Sequence, residues 1–131
     1  MTYILIIALL AGHGLAHVSG FLASFTNKDL DFHLEQPCIF SGRILLNKGL
    51  GRIFGLLWLI AAFILLLSAI ALLLKAHWWL NIALAGAVVS LVTIISFWNS
   101  IPPGAKIGAV FDLIVVTGIT GFTESLIQLT A

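Results

Sequence analysis

His13 and His17 stand four residues apart inside an apolar run, so an α-helix would present both imidazoles on one face, one turn apart. Imidazole is a versatile ligand, and this spacing suits a metal ion, two stacked haem or pigment ligands, or a proton-handling pair. It equally suits interhelical hydrogen bonds with no further role. Asp112, in another apolar run, is the natural partner to weigh. His17 lies eight residues before Phe25, ~12 Å by helical rise, and Asp112 lies seven after Ala105, ~10 Å, so the two fall at one level. The expectation is one site shared by His13, His17 and Asp112 between the first and last helices. There the carboxylate would offset an imidazolium or fix a histidine tautomer beside a metal. The plainer alternative pairs Asp112 with Arg52 or an interfacial lysine, or leaves it protonated.

Other chemistry is sparse. Asp31-Phe-His33-Leu-Glu35 with Cys38 carries metal-capable side chains, but its spacing matches no closed four-ligand template and mixes hard oxygens with one soft thiol. No Gly-Lys-Ser phosphate cradle, nucleophile elbow or HExxH occurs. No catalytic residue is assigned, and neither a metal nor a cofactor is identified by the sequence.

The elements that must position these residues are membrane helices. Of 131 residues, 61% are hydrophobic and only 8% charged, far below the ~25% charged residues of a soluble domain. About 20 apolar residues cross the hydrocarbon layer. Ile53 to Leu74 does so without a charge, and Trp78 to Trp98 has Asn81 as its strongest polar group. Tyr3 to Phe25 carries the histidines, and Ile107 to Ile127 carries Asp112 and Glu124, the latter expected near headgroups or water. The reading is an all-α, integral membrane four-helix bundle in a single domain, residues 1–131, with spans 3–25, 53–74, 78–98 and 107–127 and a long loop 26–52. Unbroken runs of this length lack the alternation of a transmembrane barrel. The first run has no Lys or Arg at its amino end, unlike a signal peptide, and is expected to stay in the membrane.

The connections differ in kind. Lys75-Ala76-His77 is a tight turn, with Trp78 and Trp79 expected as interfacial anchors. Pro102 and Pro103 are expected to stop the third helix. Cys38 to Leu50 mixes aliphatic residues with Arg43 and Lys48, which suits either a segment lying in the interface or a plain structured loop. Lys28, Arg43, Lys48, Arg52 and Lys106 fall on one side of the membrane and Lys75 on the other. Short cytoplasmic loops are enriched in cations, so both termini are expected outside, in a plasma (inner) membrane. A net charge of +1 implies no nucleic-acid partner. The lone Cys38 forms no internal disulfide.

Glycines at 12, 14 and 20 on the first run, and at 108, 118 and 121 on the last, would permit close helix approach, as would Ala83-x3-Ala87 and Gly86-x3-Ser90 in the third. Thr117 and Thr120 can bond to their own helix. The stretch His13-Gly-Leu-Ala-His17-Val-Ser-Gly20-Phe21, the Gly55-Leu-Leu-Trp58-Leu-Ile-Ala-Ala segment, Trp78-Trp79, and Ser90 before a run ending in Trp98 form a loose pattern together with the glycine opening span four. The pattern resembles a group of small, uncharacterised bacterial four-helix membrane proteins, loosely DoxX-like. That resemblance implies the fold and brings no activity with it; usual members have a simpler first connection.

Three function classes follow. The first is a non-enzymatic membrane protein embedded in the lipid bilayer, as a homo-oligomer or a subunit of a larger membrane complex. The second is a cofactor- or metal-binding redox membrane protein using His13 and His17, and the third a small proton-coupled transporter. Topology is the most directly testable of these expectations. In a Cys38→Ala background, Leu30→Cys should label from the cytoplasm and His77→Cys from outside; the reverse pattern contradicts the cation count.

Overall fold

Hydrocarbon offers backbone N–H and C=O groups no water, so an apolar chain crossing it must satisfy them internally, and a helix does so within one segment. The computed structural model describes residues 2–26, 28 and 30–128, with the side chains of residues 2, 120 and 122–128 set aside. The side chains of Glu124 and Thr120 therefore lie outside the described set. Four helices follow in order: α1 Thr2–Phe25, α2 Gly51–Leu73, α3 Trp79–Ser96 and α4 Pro103–Gln128. Among the described residues, α1, α2 and α3 each have the length and hydropathy to cross a membrane. The chain is an all-α, multi-pass integral membrane protein.

Two boundaries differ from the sequence reading. The third helix ends at Ser96, and Phe97 to Ser100 turn before either proline, so the prolines do not terminate it. Pro103 instead opens α4. Its missing N–H belongs to the first helical turn, where no partner is needed, and its fixed φ suits a helix start. The α2–α3 turn closes with Lys75 at φ 55, and the N–H of Ala76 bonds to the carbonyl of Ala71 at 2.9 Å. That is a Schellman-type stop built without glycine.

Consecutive helices make the main contacts, α1 on α2, α2 on α3 and α3 on α4. The first and last helices were expected to close the ring by glycine approach, but they meet chiefly through side chains. Gly12 faces open space, whereas a β-carbon on Gly108 would come within 2.8 Å of His13 Cε1. The imidazole thus fills the notch that a neighbouring backbone would otherwise occupy. Real backbone notches lie between α1 and α2. Gly20 seats the Trp58 indole, Gly55 seats Ser24, and Gly14 lies against Ala62 and Leu65.

Two apolar clusters fill the bundle. One, around Leu10, Leu65, Leu72, Trp79 and Leu80, lies toward the α2–α3 turn. The expected interfacial role holds for Trp78, 42% exposed, but Trp79 is 3% exposed and belongs to this core. Adjacent helical residues point about 100° apart, so one ring of a Trp-Trp pair turns inward. The other cluster, around Trp58, Phe97 and Ile101, takes in Phe32, Cys38 and Leu46 from the long loop. That loop is a structured cap. The N–H groups of His33 and Ile39 donate to the carbonyls of Ser100 and Ser96 at 2.8 and 2.9 Å, and Ser100 Oγ donates to the Gln36 carbonyl at 2.8 Å. The loop therefore holds the α3–α4 connection in place.

Adding a methyl at Gly20 forces Trp58 to move, and overpacking of this kind costs ~1–3 kcal/mol. Thermal unfolding in detergent, followed by circular dichroism, should show that loss for Gly20→Ala and none for Gly12→Leu. Equal losses would contradict the placement of α1.

Candidate intramembrane polar site

Hydroxyls on membrane helices usually return to their own backbone, and Ser24, Thr93 and Ser96 do so, each bonding to the carbonyl four residues back. Ser90 on α3 does not. Its Oγ donates to Asp112 Oδ2, and the Nε2 of His17 lies 2.7 Å from the serine Oγ. On the far side of the carboxylate, His13 Nε2 lies 2.8 Å from Asp112 Oδ1. With the serine proton on the carboxylate, both imidazoles donate through Nε2. The result is a continuous chain, His13 to Asp112 to Ser90 to His17, drawn from α1, α3 and α4.

The structure brings His13, His17 and Asp112 together, with donor atoms all within 4.8 Å of one another. The expected meeting of His17 and Asp112 is indirect, through Ser90, and it is His13 that contacts the carboxylate. Depth alone ranked His17 first; the rank fails because α3 inserts a hydroxyl at that level. Arg52 is not the partner of Asp112. Its Nε donates to the Asn47 carbonyl at 3.2 Å, in the loop.

The cluster is largely enclosed by protein. Asp112 is fully buried and His17 is 2% exposed. The two imidazole rings meet edge to face at 4.7 Å, Phe111 leans on His13 at 4.8 Å, and Trp58 leans on His17 at 5.1 Å. His17 Nδ1 is buried without a hydrogen-bond partner among the described residues. Beside the rings lies a cavity of about 110 Å³, bounded by Trp58 and Gly108 and reaching Pro102 and Gly104 at the α3–α4 connection. On the opposite side, a cavity of about 220 Å³ between α1, α3 and α4 is lined by apolar side chains such as Ile6, Leu9 and Ile114. The polar route thus leads toward the cation-rich end of the chain.

The smaller cavity admits several waters but not a macrocycle, since sites for drug-sized ligands begin near ~300 Å³. Both Nε2 atoms also face the shared centre, so the two-haem arrangement finds no room. In the loop, His33 and Glu35 sit 3.9 Å apart and exposed, while Cys38 is buried in the cap, so the structure does not gather that second set of donors. Ser90 was missed as a site residue. The available signal was its place on the Gly86-x3-Ser90 face, which reads as packing. The chain matches no protein-family model, and no curated protein or solved structure shows significant similarity to it.

Members of one hydrogen-bonded network do not add independently. A double-mutant cycle with Ser90→Ala and Asp112→Asn, measured by thermal unfolding in detergent, should give a coupling of ~0.5–3 kcal/mol. Simple additivity would mean that the two groups do not share a site.

Proposed function

We propose that this is a non-enzymatic membrane protein that holds a small cation at bilayer depth between His13, His17 and Asp112. The observation that carries the reading is a fully buried carboxylate whose ion-pair partner among the described residues is His13 rather than a Lys or Arg. An uncompensated charge in hydrocarbon is costly, and ionisable groups at such depth usually face a functional cavity or a partner. Two imidazoles stand where one would offset the charge, and the cavity beside them gives a small ion and its waters room.

In the wider reading helix α4 makes the fourth crossing, and the cation-rich end, including the loop cap, lies in the cytoplasm with both termini outside, a reading supported by the five-to-one split of Lys and Arg. Exposed Ile4, Leu15, Phe63 and Leu113 present apolar surface to lipid or to further copies and other membrane subunits. The kinship proposed is with the small bacterial DoxX-like group.

A cation that binds the folded state stabilises it by mass action, ~2.7 kcal/mol at 100 times its Kd. A thermal-shift series in detergent with Na⁺, Mg²⁺, Ca²⁺, Mn²⁺, Co²⁺ and Zn²⁺ should raise Tm for at least one ion, and Asp112→Asn should abolish the rise. No Asp112-dependent rise for any ion sinks the reading.

A further inference from the structure

The geometry points to a first-row divalent transition metal, of the zinc and cobalt class, as the cation held by His13, His17 and Asp112. This inference rests on the cation-holding reading and names the ion. Two imidazole nitrogens and one carboxylate oxygen form a borderline donor set that suits Zn²⁺, Co²⁺, Ni²⁺ or Fe²⁺, whereas Mg²⁺ and Ca²⁺ require shells of oxygen. A thiolate would shift the preference toward softer ions, but Cys38 lies in the loop cap, packed with Phe32 and Leu46.

The distances fit. Ligand bonds of ~2.0–2.2 Å place two donors at most ~4.4 Å apart across one ion. The three donors already lie within 4.8 Å, so closure needs only a small side-chain shift. Histidines at i and i+4 on one helix, with a third ligand from another, are also how HExxH helices hold zinc. Here Gly14 follows the first histidine, where such a helix carries its general-base glutamate. The chain has the ligand spacing without that glutamate.

Ser90 engages Asp112 Oδ2 and leaves Oδ1, the oxygen facing His13, for the ion. That makes Ser90 a positioning residue. Each imidazole ligates through Nε2 as the neutral tautomer with its proton on Nδ1, and His17 Nδ1, buried and unpartnered, is free to take that proton. The side of the ion facing the cavity is left to water or an anion.

The test uses the full chain in detergent, stripped with a chelator and titrated with Co²⁺. One equivalent should produce a visible d–d band that Zn²⁺ removes and that Mg²⁺ and Ca²⁺ leave unchanged. His13→Ala and Asp112→Asn should lose the band, His33→Ala should keep it, and Ser90→Ala should weaken binding by ~10–100-fold. Circular dichroism checks each variant, and His17→Gln replaces any that has lost helix. No band, alongside an Asp112-dependent Tm rise with Mg²⁺ or Ca²⁺, overturns the metal class and leaves the cation reading standing. No Asp112-dependent effect from any ion overturns both. A band abolished by His33→Ala but not by Asp112→Asn overturns the assignment by moving the ion to the loop.

Discussion

A buried carboxylate with no lysine or arginine paired to it among the described residues sets the terms for everything around it. Asp112 is 0% exposed, and its oxygens are met from two directions, by His13 on α1 and by Ser90 on α3. Each contact fixes how far one helix can slide or turn against α4, because a buried polar group that loses its partner is left with its desolvation cost. Apolar contacts between membrane helices carry little directional information, since lipid is as apolar as leucine. The register of α1, α3 and α4 therefore depends on this cluster more than on the surrounding Leu and Ile.

The rest of the packing serves that register. Gly108 leaves space for the His13 ring, which lets α1 reach α4 by a side chain instead of by its backbone. Gly20 seats Trp58, and Trp58 in turn presses on His17 and touches Phe32 of the loop cap, with ring centres 5.8 Å apart. The cap holds the α3–α4 connection through Ser96 and Ser100, so one line of contacts runs from the loop, through an indole, to an imidazole in the site. At the other end, the Tyr3 hydroxyl donates to the carbonyls of Leu72 and Leu73 in the last turn of α2. The α1–α2 pair is thus tied by polar contacts at the Tyr3 end and by the seated indole at the other.

The four helices were legible because run length and charge sparsity are properties of the sequence alone, and the histidine pair because its period is that of a helix. Asp112 could be set at the right level by counting residues from helix ends. What counting could not supply was rotation about each helix axis. That rotation decides that His13, not His17, touches the carboxylate, and that Trp79 turns inward while Trp78 does not. Ser90 escaped notice because a helical serine ordinarily satisfies itself, as Ser24 and Ser96 do, and its different behaviour depends on a neighbour twenty-two positions away. The loop remained open between two readings because its mixture of aliphatic and cationic residues fits both. Its burial depends on backbone hydrogen bonds to Ser96 and Ser100 that no composition encodes.

The claim that two imidazoles and one carboxylate converge on a single centre is tested most directly by zinc-edge X-ray absorption on the full chain loaded with one equivalent of Zn²⁺. The account predicts a nitrogen and oxygen shell at ~2.0–2.1 Å, with the outer-shell scattering of two imidazoles and of one only in His17→Gln. A sulfur shell at ~2.3 Å, which would place the ion on Cys38, or scattering unchanged by loss of His17, would contradict it.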